Sequence, residues 1–365
     1  MSARRKLVGL AGVAVVAGGV AVAATWTPPN ERRTPVAAGD RLEGELVGAG
    51  ASSQQAAMQG WLASYSAVQP DVRVSYDPVG SGGGREQFLA GGVDFAGSDA
   101  ALDEEELAEA RERCGDAGVF ELPNYIAPIA VVFQVPGVDE LQLSPETLAG
   151  IFSGAITRWD DPAVVGDNPG TALPDLRISP VHRSDESGTT ENFTAYLAET
   201  AGAAWPYEPE GEWPLPGGEA AQGNSGVVAA VAGGEGTIGY ADLSQAGDLG
   251  VAAVRVGDTY VGPTAEAAAA VVAGSPRREG RGPADLAIEL DRGTAEGYPI
   301  VLVSYHIGCV EYADQQTADL VRSFLGHVIS EEGQEAAAEV AGSAPISDEL
   351  REQARPVVDS IRARS

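Results

Sequence analysis

The feature that most constrains the fold is a unit made of a short apolar strand, a Gly/Ser-rich turn and a helix, which recurs along the chain. The strands of three such units are "GELVGAG" (44–50), "VRVSYDPVG" (72–80) and "LRISPVH" (176–182), and helical patterns start at 52, 81 and 188. Short strands that alternate with helical segments are typical of α/β folds. We therefore predict an α/β protein.

The helix starts in these units are candidate anion-binding positions. The first turn of a helix leaves backbone N–H groups unpaired and carries about half a positive charge. Glycine lets the backbone approach an anion closely, and hydroxyl groups add donors. Ser52 and Ser53 are also suited to capping the helix that follows them. Helix starts that converge would form an oxyanion site with almost no formal positive charge.

The formal charge of −30 bears on the class of partner. It argues against nucleic acid, because basic surfaces supply most of the energy of nucleic-acid binding. It does not argue against a small anion, since net charge need not set the field inside a closed cleft.

Nucleotide-binding motifs are incomplete in this chain. Ser53 stands where a dinucleotide fingerprint has Gly or Ala, and Arg85 stands where "GSGGGR" would need its third glycine. The Gly-Lys-Ser/Thr of a P-loop does not occur. We expect no cofactor.

Hydrolase and metal motifs are equally incomplete. Asp185 replaces the glycine that a nucleophile elbow has two residues before its serine, Ser187. The histidines His182, His306 and His327 are scattered and no Cys-x-x-Cys spacing occurs, so we expect no metal. A secreted hydrolase with Ser187 as nucleophile and His182 as base stays open as an alternative.

The N-terminus has the pattern of a targeting segment. A basic start is followed by an uncharged run at 7–24 that ends in small residues. Residues 1–25 are therefore predicted to be a signal peptide or an N-terminal anchor, and the chain is predicted to be exported. Residues 26–44 are rich in Pro, Gly and charge and are predicted to be a linker.

The chain has two cysteines, Cys114 and Cys309. An even number of cysteines in an exported protein favours one disulfide. Two separate buried thiols are the alternative.

A set of motifs in fixed order resembles the phosphate-binding proteins of the Pst ABC importer. The motifs are "GAGAS", "GSGGG", "VDFAGSDA", "ITRWDDP", "NPG", "RSDESGTTENFT", "GTIGY" and "YPI", and they span about residues 45–345. The resemblance implies a type II periplasmic-binding fold, in which two α/β lobes enclose a ligand cleft and the chain crosses the hinge twice. It also implies a monomeric, non-enzymatic receptor that delivers inorganic phosphate to a membrane permease and its ATPase.

The resemblance also implies lobe bounds. Lobe I would comprise 45–130 and 301–365, and lobe II would comprise 131–300. The chain would cross the hinge near "IAPIAVVF" and "GYPIVLVS". Both cysteines fall in lobe I, so a disulfide would join its two separated pieces. Segment 274–297 is predicted to be a surface excursion.

The matching motifs place the implied phosphate ligands on four turns. These ligands are Ser52, Ser53, Ser81 and Asp99 in lobe I, and Arg183, Ser187, Gly188 and Thr189 in lobe II. Asp185 is predicted to orient Arg183, with a helix cap as the alternative role. The family has Thr-Phe where this chain has Ser52-Ser53, and a small residue where it has Glu186, which we expect to point outward.

Asp99 is the residue from which we predict which oxyanion the site prefers. An ionised carboxylate only accepts hydrogen bonds, so it fits an oxyanion that carries a proton. Phosphate keeps a proton at neutral pH, whereas sulfate does not. A helix cap is the alternative role for Asp99. Sulfate, molybdate and the nearly isosteric arsenate stay open as other oxyanion ligands.

Overall fold

The computed structural model describes residues 41–293 and 297–364. The predicted leader at 1–25 lies outside the described residues, as does all but the end of the predicted linker at 26–44. Within the described ranges, no helix is both long enough and apolar enough to span a membrane.

Strands and helices alternate along most of the chain. The strands are β1 (Gly44–Gly50), β2 (Val72–Asp77), β3 (Phe95–Ser98), β4 (Val119–Gln134), β5 (Gln142–Leu143), β6 (Ser179–Arg183), β7 (Glu219–Ala221), β8 (Thr237–Asp242), β9 (Gly250–Val251), β10 (Ala253–Val256), β11 (Thr259–Val261), β12 (Val301–Cys309), β13 (Glu311–Tyr312) and β14 (Arg362–Ala363). The helices are α1 (Gln55–Val68), α2 (Ser81–Leu89), α3 (Glu104–Cys114), α4 (Pro145–Phe152), α5 (Pro162–Asp167), α6 (Gly188–Thr200), α7 (Gly223–Gly233), α8 (Ala265–Gly274), α9 (Gln315–Val328), α10 (Glu331–Ala341) and α11 (Asp348–Asp359). The prediction of an α/β fold is confirmed.

The main sheet has nine strands in the order β2-β1-β3-β12-β4-β8-β6-β7, with β9 also paired to β4. β1 is parallel to β2 and β3, and β6 is parallel to β7 and β8. β12 and β4 run antiparallel to their neighbours in the middle of this order. β1 and β3 run in the same direction, and β1, β3 and β6 each end in a Gly/Ser-containing turn. Sheets of this kind bind ligands beyond the carboxyl ends of their strands.

β4 belongs to both halves of the sheet. Its residues Val119–Pro128 pair with β12, and Ile129–Gln134 pair with β8. We call β1, β2, β3, β12 and the first part of β4 the first half-sheet, and the second part of β4 with β6 to β9 the second half-sheet. The chain returns to the first half-sheet just before β12, where the Ile129 N–H donates to the Ile300 carbonyl at 2.7 Å. The two points at which the chain passes between the half-sheets, one within β4 and one just before β12, therefore lie side by side.

The segment between α8 and β12 differs from its prediction. The sequence predicts a surface excursion, but Leu286, Ala287 and Ile288 are buried. The Leu286 N–H donates to the carbonyl of Glu121 at 3.0 Å, which attaches the segment to β4 in the first half-sheet. Isolated bridges of Asp285 to Glu121 and of Ile288 to Arg277 hold these three consecutive apolar residues in place.

Cys114 and Cys309 form the predicted disulfide, across a sequence separation of 195 residues. Cys114 ends α3 and Cys309 ends β12, and both are buried. The bond therefore joins α3, which follows β3, to β12 of the first half-sheet.

Replacing both cysteines by serine should lower the free energy of unfolding by about 4–5 kcal/mol, because the bond closes a very long loop and restricts the unfolded chain. Urea titration of the wild type and the double variant measures this difference. Reductant should shift the wild-type midpoint towards that of the variant and leave the variant unchanged. A variant as stable as the oxidised wild type would contradict the prediction.

Candidate ligand-binding site

The serines at the start of α1 do not cap it, contrary to the sequence prediction. Gln54 occupies the N-cap position, and no side chain there bonds to the first turn. The Ser53 hydroxyl donates instead to Asp99 at 2.6 Å. The Ser52 hydroxyl oxygen accepts the backbone and side-chain N–H groups of Asn224, at 3.1 and 3.0 Å. Both hydroxyls thus serve contacts between elements that are far apart in sequence.

Asp99 follows β3 and is only 4% exposed. Asp103, not Asp99, caps α3, where it forms a capping box with Glu106. The carboxylate of Asp99 accepts from Ser53 and from Ser304 on Oδ1, each at 2.6 Å, and from Thr189 on Oδ2 at 3.0 Å. Burial raises the pKa of Asp99, and these hydrogen bonds, with the charge of Arg183, offset part of the rise.

Arg183 ends β6 and is 2% exposed. Its Nε donates to Oδ1 of Asp185 at 2.8 Å and its Nη2 donates to Oδ2, a two-point ion pair. Its Nη1 is buried and has no hydrogen-bond partner among the described residues. A buried cationic donor without a partner is costly, so Nη1 marks a place for an acceptor that the chain itself does not supply.

Asp185 orients Arg183 and does not cap α6. Ser187 is the N-cap, and its hydroxyl oxygen accepts the Thr190 N–H at 3.2 Å. Oδ1 of Asp185 also accepts the Gly223 N–H at 3.0 Å. Burial alone would raise the pKa of Asp185, but the hydrogen bond and charge of Arg183 outweigh it, and the pKa is lowered. Asp185 is therefore held as a carboxylate.

The start of α6 packs directly against the turn that carries Asp99. A Cβ placed on Gly188 would lie 2.7 Å from Cβ of Asp99 and 2.8 Å from the hydroxyl oxygen of Ser81. That Ser81 oxygen, in the first residue of α2, accepts the Asp99 N–H at 3.1 Å. Thr189 reaches Asp99 with its hydroxyl. The starts of α1, α2 and α6 thus meet around one buried carboxylate.

All the predicted site residues lie in or beside this network. They are buried and comprise Ser52, Ser53, Ser81, Asp99, Arg183, Ser187, Gly188 and Thr189. The sequence prediction missed Asn224 at the start of α7 and Ser304 on β12, both fully buried. The sequence "GNSG" at 223–226 follows the same Gly-turn pattern and signals Asn224. Ser304 has no such signal, because it lies inside a continuous apolar strand.

Glu186 is exposed, as the sequence prediction expects, and its carboxylate also pairs with a buried arginine. Its carboxylate accepts from Nη2 of Arg85 at 2.7 Å, although 47% of its side chain is exposed. Arg85, on α2, also donates to Glu106 at 2.6 Å. The ion pair with Arg85 compensates the negative charge that Glu186 adds next to the site.

The histidines make contacts that do not include Ser187. The ring nitrogens of His182 lie 2.8 Å from the carbonyl oxygen of Arg183 and 3.1 Å from that of Gly217. His306 is buried against aromatic rings, and burial lowers its pKa to about 3. His327 bonds to the Ser64 hydroxyl at 2.7 Å. The described residues therefore hold no Ser187–His182 pair, and no group of three or more metal-ligating side chains is found among them.

Comparison with known proteins identifies the family. The profile of the PBP superfamily domain matches residues 35–332. The phosphate-binding protein PstS 3 of Mycobacterium tuberculosis (strain ATCC 25618 / H37Rv) is 36% identical over 324 residues, which cover 87% of this chain and 86% of that protein. The chain belongs to the PstS family of phosphate-binding proteins, within the PBP superfamily.

Two further PstS-like proteins support the fold. The phosphate-binding protein PstS of Xylella fastidiosa (strain Temecula1 / ATCC 700964) is 34% identical over 289 residues, covering 76% of this chain and 74% of that protein. The structure of PfluDING, a high affinity periplasmic phosphate-binding protein bound with phosphate, superposes with a TM-score of 0.71 at 27% identity, covering 86% of this chain and 93% of that one. The prediction of a two-lobe periplasmic-binding fold is confirmed.

Replacing Gly188 by alanine should destabilise this PstS-family protein by about 1–3 kcal/mol, because the added methyl group overlaps Asp99 and Ser81. Urea unfolding without ligand measures the effect. Gly166→Ala is the matched control, since Gly166 is also helical and nothing lies within 4 Å of the position that its Cβ would take. Equal stability of the two variants would mean that α6 and the Asp99 turn do not pack this closely in solution.

Proposed function

We propose that the chain is an exported receptor that binds inorganic phosphate in a cleft between its two lobes and delivers it to an ABC importer. Lobe I would comprise 45–130 and 301–365, and lobe II would comprise 131–300. The observation that carries the proposal is the unpaired, buried Nη1 of Arg183 in a network that also holds the carboxylate of Asp99. Nη1 of Arg183 needs a hydrogen-bond acceptor, and the carboxylate of Asp99 can take a further donor. A protonated oxyanion supplies both.

The remaining donors suit the rest of a tetrahedral ion. Ser52, Ser81 and Ser187 would contribute hydroxyl groups. Thr189 donates its hydroxyl hydrogen to Asp99, so it would contribute its backbone N–H group, together with those of Ser53 and Gly188. Helix starts favour negative charge through their dipoles, so the site needs only one arginine. Because the site is buried, each of these donors acts in a medium of low dielectric and is stronger than in water.

Asp99 favours phosphate over sulfate. A phosphate oxygen that carries hydrogen can donate to the carboxylate, whereas sulfate presents only acceptors to it. A buried mismatch of this kind rejects an analogue by on the order of 10⁴–10⁵. Arsenate has the same shape and protonation, and the site would admit it.

The transport role follows from family membership. The relatives are named phosphate-binding protein PstS, and PfluDING is described as periplasmic and bound with phosphate. We propose that this chain acts outside the cytoplasm as a monomer, with residues 1–25 as its export signal or anchor. Its partners would be a membrane permease and the associated ATPase. We propose that it performs no catalysis, and the contacts of His182 with two backbone carbonyl oxygens, and not with Ser187, support this.

Titration calorimetry of the full chain with inorganic phosphate and with sulfate at about pH 7.5 tests the function. We expect saturable heat with phosphate at one site per chain, and binding of sulfate weaker by at least about a thousandfold, because only phosphate satisfies Asp99. Equal heats from both ions, or no heat from phosphate, would refute the proposal.

Asp99→Asn should reduce the preference for phosphate over sulfate by about tenfold or more, since an amide can donate to a bare oxygen. Competition of sulfate against labelled phosphate measures the preference. Asp103→Asn is the control, because Asp103 caps α3 and asparagine caps a helix equally well. If the preference stays as in the wild type, Asp99 does not select the ligand.

A further inference from the structure

We propose that Gln54 and Ser304 form a relay that holds Asp99 as a hydrogen-bond acceptor and thereby sets the pH below which the receptor no longer rejects unprotonated oxyanions. The inference rests on the proposed phosphate-binding function. Ser304 and Gln54 act through Asp99 and are positioning residues.

The relay starts from the backbone carbonyl of Tyr305, which can only accept hydrogen bonds. The Nε2 of Gln54 lies 3.1 Å from the backbone carbonyl oxygen of Tyr305 and 2.6 Å from the hydroxyl oxygen of Ser304. Because a carbonyl has no hydrogen to give, the Gln54 atom that faces Tyr305 must be the NH₂ group. The second hydrogen of that NH₂ group then points at Ser304, whose oxygen must accept it.

The orientation passes from Ser304 to Asp99. A hydroxyl group has one hydrogen, and the Ser304 oxygen already accepts from Gln54. Its hydrogen is therefore directed at Oδ1 of Asp99, 2.6 Å away. Gln54 and Ser304 are both fully buried, so water does not compete for these bonds. The Tyr305 carbonyl of β12 thus determines the direction of the hydrogen bond from Gln54 to Ser304 and of the one from Ser304 to Asp99.

This arrangement leaves one position on Asp99 for the ligand. Oδ1 accepts from both Ser53 and Ser304, which fills its two lone pairs. Oδ2 accepts only from Thr189 among the described residues and has a lone pair left. An ionised Asp99 therefore offers Oδ2 to a ligand proton. A protonated Asp99 would carry its hydrogen on Oδ2, where it would donate to sulfate.

The charged and titratable groups around Asp99 come from several strands. Arg183 on β6 favours the ionised form, whereas Asp242 on β8 disfavours it, and burial raises the pKa of Asp242 to about 7. The charge of Asp99 also contributes to the raised pKa of Tyr76 on β2 and of Tyr125 on β4. Burial raises the pKa of Asp99, and the Ser304 hydrogen bond is the largest of the effects that oppose the rise.

Loss of the Ser304 hydroxyl should therefore raise the pKa of Asp99 further. A carboxyl group with a higher pKa stays protonated to a higher pH, so sulfate should begin to compete at a higher pH. One hydrogen bond to a charged group corresponds to a shift of roughly one pH unit, or about a tenfold change in sulfate competition at fixed pH.

The test is competition of sulfate against labelled phosphate on the full chain from about pH 5 to about pH 8.5. In the wild type, sulfate should compete better as the pH falls. In Ser304→Ala and Gln54→Met the pH profile of sulfate competition should shift to higher pH by roughly one pH unit. Ser304→Thr keeps the hydroxyl and should restore the wild-type profile. Ser343→Ala, which alters a buried serine outside the relay, should also match the wild type.

The outcomes separate the inference from the function on which it rests. A wild type that prefers phosphate, with the same pH profile in Ser304→Ala and Gln54→Met, would overturn the relay and leave the function standing. Equal weakening of phosphate and sulfate at every pH would show a purely structural role and would also overturn it. A wild type that binds no phosphate would refute the function itself. Melting curves check that the variants fold. If Ser304→Ala does not fold, the result for Gln54→Met decides the test.

Discussion

The structure depends on one buried carboxylate that receives donors from three separate elements. Ser53 reaches Asp99 from the start of α1, Ser304 from β12, and Thr189 from the start of α6. The first two belong to the first half-sheet, and the third follows the second half-sheet. The same carboxylate therefore joins the two halves and, in the proposed function, is the acceptor for a ligand proton. The contact between the halves and the lone pair left for a ligand are coupled, because both lie on Oδ2 of Asp99.

The acidic character of the chain is compatible with an anion site because the charges near it are paired. Asp185 takes two of the donor groups of Arg183, and Arg85 compensates Glu186. What remains for an anion is the unpaired Nη1 of Arg183, hydroxyl groups and helix starts. A site of this kind attracts by directed dipoles at short range. It does not need the long-range attraction that a net charge of −30 would oppose.

Local sequence was sufficient for the fold class and for the turns of the site, because each is encoded within a few residues. The Gly/Ser turns before α1, α2 and α6 follow from the strand, turn and helix pattern. The roles within the turns were less predictable. Ser52 and Ser53 have the composition of caps, but tertiary partners override that preference. Ser304 and Gln54 could not be predicted, since they meet across 250 residues and Ser304 lies in an apolar strand without a motif of its own.

Two of the three departures from the pattern that the resemblance implies have compensating partners in this chain. At position 53, where the resemblance implies an aromatic residue, the Ser53 hydroxyl adds a donor to Oδ1 of Asp99. Together with Ser304 it fills that oxygen, so only Oδ2 keeps a lone pair for the proposed ligand. At position 186 the added carboxylate pairs with Arg85 on α2 and links the start of α6 to the first half-sheet. The departure at position 186 therefore adds a contact between the halves, and the departure at position 53 adds a donor to the buried carboxylate.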